Sequence, residues 1–182
     1  MRIHASRLAA LAAGATLALS AAAGAASQED QRFVEKAASD GMLEQKLGEY
    51  AAQNAANEQV KEFGHLMATD HGQANEKLKS VAQKAGIRVP EQLKPKDQAK
   101  LDELTKLKGA EFDRAYMREM VQAHEKDVKA FRQEATNPQS DVDRFAAETL
   151  PTLEAHLEQA KQIQQQVAGQ ASARTPPQTS SR

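Results

Sequence analysis

The chain contains no cysteine and no tryptophan, and it has only two tyrosines and five phenylalanines among its 182 residues. The lack of cysteine excludes disulfides, iron–sulfur clusters and catalysis by a thiol. The fold must therefore be stabilised by packing alone, with a core of Leu, Val, Met, Phe and many Ala. Small Ala side chains at interior positions allow helices to approach one another closely.

The chain also lacks a strong charge of either sign. It has 24 basic and 25 acidic residues, and loss of Arg2 and Arg7 with residues 1–26 would leave 22 basic residues and a net charge of −3. This balance argues against a nucleic-acid partner, because proteins that bind nucleic acid carry a basic face. The sequence has no nucleophile motif, phosphate loop or cofactor fingerprint, so we do not predict an enzyme.

Residues 1–26 have the pattern of an export signal. A basic start with Arg2 and Arg7 is followed by the uncharged residues 8–23 and by a small-residue cleavage site at 23–25. A membrane anchor is the alternative, but the uncharged run is shorter than the roughly 20 residues that span a bilayer. No second long apolar run follows. We therefore expect a periplasmic protein without a transmembrane segment in its mature form, and association with a membrane stays open.

Four long segments show the 3-4 spacing of apolar residues that is typical of amphipathic helices, and none shows strand alternation. The spacing predicts helices A to D over residues 30–56, 58–85, 110–135 and 141–168. Asn57 is the predicted N-cap of helix B, and Gly86 follows its end. Asn137 or Ser140 is predicted to cap helix D.

The connections between these helices predict an all-α, antiparallel four-helix bundle over residues 27–168. The A–B and C–D turns are short, whereas residues 87–109 form a longer crossover in which Pro95 begins a short extra helix. We expect an up-down-up-down arrangement with both short turns at the same end. Residues 169–182 are rich in Ser, Thr, Pro and Gln and are predicted to be a disordered tail.

One ionisable residue interrupts the apolar stripe of each predicted helix: Glu44 in A, His71 in B, His124 in C and His156 in D. At 1.5 Å per residue, the first three lie about 20 Å below the end with the short turns, and His156 lies about 27 Å below it. Loop length and an offset of helix D could absorb that difference. The spacing therefore predicts one carboxylate and three imidazoles in a layer near mid-bundle.

Two interpretations of this layer stand side by side. One is a binding site for a small ligand or for a single transition metal ion, since three imidazoles and a carboxylate suit Zn, Fe, Mn, Ni or Cu. The other is a buried polar network that sets the helix register of a structural or protein-interaction bundle. The identity of a protein partner is unknown, and Leu101, Leu104 and Leu107 would offer an apolar surface if they do not pack on the bundle.

Three acidic residues, Asp70, Glu125 and Asp127, flank the inward histidines. They could accept hydrogen bonds from imidazole N–H groups. Because they lie off the apolar stripes, we expect them instead to be solvated charges on the helix flanks. We also expect His65, which lies off the stripe of helix B, to be exposed, and Tyr116 to pack at the boundary of the core.

Several motifs occur in the order found in one known family. They are Phe33-Val34-x-Lys36-Ala37-Ala38, Gly41-Met42-x-Glu44, Asp70-His71, Phe112-Asp113-x-x-Tyr116, His124-Glu125-Lys126 and Thr149-Leu150-Pro151-Thr152-Leu153-x-x-His156-Leu157. Together they resemble the bacterial domain-of-unknown-function family numbered 4142. Its members are exported proteins of the ferritin-like superfamily, often labelled outer-membrane or periplasmic. The resemblance implies a ferritin-like bundle, and it implies no established activity.

The wider superfamily includes di-iron carboxylate proteins, which use Glu-x-x-His on two helices. This sequence departs from that motif, because Ala68, Val121 and Leu153 stand three positions before the inward histidines. A single interior Glu cannot bridge two irons and balance their charge in the usual way. We therefore do not expect ferroxidase or oxygenase chemistry.

Overall fold

The computed structural model describes residues 26–136 and 138–173, and these residues form five helices and no strand. The helices are α1 (Gln28–Asn54), α2 (Glu58–Lys84), α3 (Pro95–Lys106), α4 (Gly109–Glu134) and α5 (Asp141–Ala173). The four long helices correspond to the predicted helices A to D, and α3 is the short helix of the crossover. The all-α bundle is thus confirmed.

The helix ends follow from local hydrogen bonds. The Asn57 side chain accepts from the backbone N–H of Gln59 at the start of α2. Gly86, with φ of 71°, follows the end of α2 in the left-handed conformation that glycine tolerates best. Ser140 caps α5, because its hydroxyl oxygen accepts from the backbone N–H of Asp143.

Two predicted segments extend beyond the described residues. The export signal is one, because only Ala26 of residues 1–26 is described. The tail is the other, since α5 continues past Gly169 to Ala173 before the description ends. Residues 170–173 include Gln and Ala, which are good helix formers, and the helix therefore does not stop at the glycine.

The direction of the helices differs from the prediction. The backbone N–H groups of Ala56 and Asn57, in the α1–α2 turn, donate to the Asp113 carboxylate at the start of α4, at 3.0 and 2.9 Å. At the opposite end, the rings of Phe33 and Phe131 meet edge to face with centroids 4.8 Å apart. The two short turns therefore lie at opposite ends of the bundle, and the up-down-up-down prediction is wrong.

The crossover explains this difference. The Ser39 hydroxyl donates to the Asp97 carboxylate at 2.9 Å, and the Tyr50 hydroxyl donates to the carbonyl of Thr105 at 2.7 Å. These contacts place α3 alongside α1 and in the same direction, so the crossover returns the chain to the end at which α1 stops. A single long crossover is one of the known connections of ferritin-like bundles.

The core consists of two clusters, one toward each end of the bundle. The cluster near the α1–α2 turn includes Phe63, Phe112, Tyr116 and Ile163. The cluster at the other end includes Phe33, Leu78, Phe131 and Phe145. Tyr116 is fully buried, so the prediction that it packs at the boundary is wrong.

The crossover leucines do not form a free apolar surface. Leu101, Leu104 and Leu107 are partly buried against the core cluster near the α1–α2 turn. Because they pack on the bundle, these three leucines do not offer the apolar surface that was considered for a protein partner. The apolar residues of α3 instead help to hold the crossover on the bundle.

Two glycines allow α1 and α2 to approach closely. A Cβ atom at Gly64 would lie 2.6 Å from the backbone nitrogen of Ala52 and 2.9 Å from the carbonyl oxygen of Gly48. A Cβ at Gly48 would lie 2.8 Å from the backbone nitrogen of Ala68 and from the carbonyl oxygen of Gly64. The opposing atoms are backbone, so no side-chain rotation can relieve these contacts.

We predict that Gly64→Ala lowers the free energy of unfolding by about 2 kcal/mol, because overpacking outweighs the gain in helix propensity. Gly72→Ala is the matched control on the same helix, since its Cβ would lie no closer than 3.6 Å to a neighbour. It should raise stability by up to about 1 kcal/mol. Urea denaturation measures both. Equal effects of the two substitutions would contradict the close helix contact.

Candidate metal centre

The structure brings the four predicted residues of the polar layer together. Glu44, His71, His124 and His156 are all buried, and His124 has no exposed surface. The ring centroids lie 5.4 Å apart for His71 and His124, 5.7 Å for His71 and His156, and 5.5 Å for His124 and His156. Each long helix thus contributes one ionisable side chain to a single layer.

The contacts of His71 and His124 determine which nitrogen of each ring carries the proton. The Nδ1 of His124 lies 3.0 Å from the carbonyl oxygen of Met120, and the Nδ1 of His71 lies 3.4 Å from the Oε2 of Glu44. A carbonyl oxygen can only accept, so the His124 Nδ1 is the donor. We assign the same tautomer to His71. The lone pairs are then on the two Nε2 atoms, which lie 3.4 Å apart.

His156 has the opposite tautomer. Its Nε2 lies 2.9 Å from the Oδ2 of Asp70, so this nitrogen donates to the carboxylate. Its Nδ1 is buried and has no hydrogen-bond partner. One nitrogen from each of the three rings lies within 4.8 Å of the corresponding nitrogen of the other two. The three rings are therefore close enough to share one small ion, and one nitrogen of each ring faces an acceptor.

Glu44 lies beside the protonated nitrogens and not among the three lone pairs. Its Oε2 is the atom near the Nδ1 of His71, and its Oε1 is 3.2 Å from the Nδ1 of His124. The His124 donor is directed at Met120, so the Oε1 of Glu44 remains buried without a hydrogen bond. Burial and the nearby carboxylate of Asp127 raise the pKa of Glu44 well above its usual value.

Asp127 connects Glu44 to the surface. Its side chain is buried, and its Oδ1 accepts from the Nζ of Lys36 at 3.0 Å. Burial raises the pKa of Asp127 to about 6, although the ammonium of Lys36 opposes that shift. The Lys36 side chain is about half exposed and borders a cavity of about 270 Å³ that reaches Glu44 and Asp127. The layer thus has a polar route to solvent.

Burial holds the three imidazoles in their neutral form. It lowers the pKa of His71 well below the usual value, with His124 and His156 adding to the shift. It lowers the pKa of His124 to about 4. Burial also lowers the pKa of His156, against the opposing effect of the Asp70 carboxylate. Neutral imidazoles have the protonation state that metal coordination requires.

Two of the three flanking acids differ from the expectation of solvated charges. Asp70 contacts His156, and Asp127 is buried beside Glu44 and Lys36. Asp127 follows His124 by three residues, which places both side chains on one helix face, and this spacing could have identified it. The remaining acid, Glu125, is exposed and forms an ion pair with Lys161, as expected. His65 is exposed, which confirms that prediction.

We predict that the metal-free protein loses stability through His124 as the pH falls from 7.5 to 5. The unfolded imidazole takes up a proton below pH 6.5, whereas the folded one stays neutral until about pH 4, and the difference amounts to about 2 kcal/mol at pH 5. Asp127 acts in the opposite direction, because its raised pKa stabilises the folded state as the pH falls through 6. The test is therefore a comparison of urea denaturation between wild type and His124→Gln at both pH values.

The wild type should lose about 2 kcal/mol more than His124→Gln over this interval. His65→Gln is the control, because this exposed imidazole should leave the pH dependence as in the wild type. If His124→Gln and the wild type show the same pH dependence, the buried neutral imidazole is contradicted.

Comparison with known proteins supports the fold and the family. A family model described as "Domain of unknown function (DUF4142)" matches residues 15–163. The crystal structure of a DUF305 fragment from Deinococcus radiodurans matches with a TM-score of 0.69 and 13% identity, over 79% of this chain and 99% of that chain, and at this identity it shows the helical fold alone. No curated protein matches the chain. The family model covers most of the sequence, and the chain therefore belongs to the DUF4142 family of bacterial domains of unknown function.

Proposed function

We propose that this protein is an exported helical bundle that binds one transition metal ion through His71, His124 and His156. The observation that carries the proposal is the convergence of one nitrogen from each of three buried imidazoles. Each ring is neutral, and each presents its other nitrogen to an acceptor. A cation is the species that three such lone pairs can bind together.

The spacing of the nitrogens favours a compact ion. A tetrahedral Zn²⁺ with Zn–N bonds of about 2.0–2.1 Å has its nitrogen ligands about 3.3–3.4 Å apart. The Nε2 atoms of His71 and His124 lie at 3.4 Å, which matches that spacing. Because the three nitrogens lie within 4.8 Å of one another, a small movement of His156 would complete the set. Imidazole ligands suit Zn²⁺, Cu²⁺ and Ni²⁺, and affinity for Mn²⁺ is the weakest of the divalent series.

The neighbouring carboxylates support the same site. Asp70 and Glu44 face the nitrogens of His156 and His71 that are directed away from the converging lone pairs. Carboxylates in this position orient a ligating imidazole and increase its basicity. Asp70 also places negative charge near the bound dication. In this proposal Glu44 supports the ligands, and the three histidines alone coordinate the metal.

A cavity of about 20 Å³ borders Glu44 and His71. A space of this size holds about one water molecule. Three protein ligands leave one position of a four-coordinate Zn²⁺ for a small molecule such as water. We propose a binding role rather than a reaction, since the sequence offers no catalytic motif beside the layer.

A polar network without metal is the second candidate. It is favoured by the 3.4 Å separation of the two Nε2 atoms, which is also within reach of a hydrogen bond. That bond requires one of the two rings to move its proton from Nδ1 to Nε2. If the proton of His71 moves to Nε2, its Nδ1 becomes an acceptor, and the Glu44 carboxyl, whose pKa burial raises, can be the donor. The network therefore requires a protonated Glu44, whereas the metal site keeps the proton on the Nδ1 of His71.

The proposed location is the periplasm. This follows from the sequence of residues 1–26, and none of the described helices has both the length and the apolar character needed to cross a membrane. Mass spectrometry of the protein recovered from a periplasmic extract should give a chain that begins near residue 26. Recovery of the uncut chain in the cytoplasmic fraction would contradict export.

We predict that Zn²⁺, Cu²⁺ or Ni²⁺ raises the melting temperature of the tag-free protein and that His124→Ala abolishes the rise. A metal at 100 times its Kd adds about 2.7 kcal/mol to the stability of the folded state. Calorimetric titration should give one site per chain. His65→Ala is the control on an exposed imidazole and should leave the rise unchanged. No shift with any of the three metals would overturn the proposal.

A substitution beside a proposed ligand, rather than of the ligand itself, tests the metal site against the polar network. Asp70→Asn keeps the size of the side chain that faces His156 but removes its charge, and it should weaken metal binding about 10- to 100-fold. Glu125→Gln makes a matched change on an exposed acid near His124 and should leave the affinity unaltered. An unchanged affinity in Asp70→Asn would show that Asp70 does not orient a ligand.

A further inference from the structure

The cavity of about 270 Å³ beside Lys36 lies between α1, α4 and the start of α3. Its wall contains five lysines, namely Lys36, Lys94, Lys96, Lys100 and Lys126. It also contains five acids, namely Asp40, Glu44, Asp97, Glu119 and Asp127. The ion pairs within the wall determine which of these charges remain available to a ligand.

Two of the lysines are paired with acids of the same wall. The Nζ of Lys36 lies 2.6 Å from the Oδ2 of Asp40 and 3.0 Å from the Oδ1 of Asp127. The Nζ of Lys100 forms an ion pair with Glu119. These two lysines and three acids are therefore satisfied by one another.

Two other lysines have no such partner. Asp97 accepts from the Ser39 hydroxyl at 2.9 Å and lies 4.0 Å from the Nζ of Lys96. Lys94 and Lys126 are exposed, and neither forms an ion pair or a side-chain hydrogen bond within the described part of the chain. The cavity therefore keeps two ammonium groups that no carboxylate neutralises.

The start of α3 adds positive charge to the same wall. Lys94 is the N-cap of this 12-residue helix, Pro95 follows it, and no side chain caps the helix. Small polar or acidic side chains are preferred at this position, because they satisfy the free backbone N–H groups and complement the helix dipole. Lys94 and Lys96 do the opposite. A helix N-terminus with this charge is favourable when an anion lies against it.

Glu44, which also borders this cavity, gives an independent indication of a ligand. Its side chain is 2% exposed, and its Oε1 has no hydrogen-bond partner. A buried polar oxygen without a partner is costly. A carboxylate accepts a hydrogen bond, whereas a protonated carboxyl also donates one. A ligand with both a hydroxyl and bare oxygens can therefore satisfy Glu44 in either form.

We infer that this cavity binds one small oxyanion of the hydrogen phosphate type. The ammonium groups of Lys94 and Lys126 and the first turn of α3 bind its charged oxygens, and its hydroxyl side faces Glu44. The volume corresponds to about nine water molecules at about 30 Å³ each. It is smaller than the roughly 300–1,000 Å³ of pockets for drug-sized ligands. This size favours a small ion with some water over a nucleotide or a larger cofactor.

The oxyanion site is separate from the proposed histidine centre. Lysine ammonium groups have no lone pair and bind no metal ion at neutral pH, whereas the three imidazoles of the histidine layer are neutral. Phosphate binding measured in EDTA therefore reports on the cavity alone. Either proposal can fail without the other.

The test is a calorimetric titration of the tag-free chain with sodium phosphate in EDTA, with ionic strength held constant by NaCl. The wild type should bind one phosphate per chain with a Kd on the order of 1 mM. Lys94→Gln and Lys126→Gln should each weaken the affinity about 10-fold, because each removes a hydrogen bond to a charged group. Lys129→Gln is the control, since Lys129 is exposed on α4 but does not border the cavity.

Thermal melting gives a second measurement. About 20 mM phosphate should raise the melting temperature of the wild type by about 5 °C over NaCl of the same ionic strength. Phosphate also stabilises proteins by exclusion from their surface. The measured quantity is therefore the rise in the wild type minus the rise in the double variant Lys94→Gln/Lys126→Gln. The double variant should melt like the wild type in NaCl, because both lysines are exposed and make no ion pair.

Cosedimentation with vesicles distinguishes a free ion from a lipid headgroup. Vesicles of phosphatidylcholine with phosphatidic acid should bind no more of the chain than phosphatidylcholine alone. Binding to phosphatidic acid that the double variant loses would overturn the free ion in favour of a headgroup. The inference is also overturned if the wild type shows no saturable phosphate binding, or if the double variant binds as tightly as the wild type.

Discussion

The centre of the bundle depends on which nitrogen of each buried imidazole carries its proton. The Met120 carbonyl determines this for His124, and the Asp70 carboxylate determines it for His156. For His71 we assign the tautomer with the proton on Nδ1, which lies 3.4 Å from the carboxyl of Glu44. With these three acceptors in place, the remaining nitrogens present lone pairs to one another. A cation or a shared proton can lie between such nitrogens, and the metal proposal takes the first of these.

The charge around the layer is consistent with a single dication. Asp70 lies on one side, and the carboxyls of Glu44 and Asp127 lie on the other with the ammonium of Lys36 behind them. Two irons would need more carboxylates among their ligands, whereas Asp70 and Glu44 face ring nitrogens of the histidines. The proposed centre of this helical bundle therefore differs from a di-iron site.

The apolar stripes predicted the helices and the four inward residues because burial selects one face of each helix. The same stripes could not give the helix directions, and the predicted positions of the short turns were wrong. The layer was nevertheless predicted, because His71 and His124 each lie 14 residues from a turn and thus near mid-helix. A residue at mid-helix lies at mid-bundle whichever end its turn occupies.

Residues off the stripes were harder to predict. Asp70 and Asp127 acquire their roles from side chains on other helices, and the pairing of those helices depends on the path of the crossover. The carboxylates of Asp30, Glu134 and Asp143, which lie within 4.8 Å of one another, show the same limit, because they meet only when the α4–α5 turn lies beside the start of α1. With both short turns at one end, these three carboxylates would have been far apart.

Elemental analysis of the tag-free protein purified from the periplasm tests the central claim most directly. The account predicts about one Zn, Cu or Ni atom per chain in the wild type. It predicts none in a variant with His71, His124 and His156 all replaced by Gln, whereas His65→Gln should retain the metal. A wild-type protein without any transition metal, or a triple variant that retains the same content, would contradict the account.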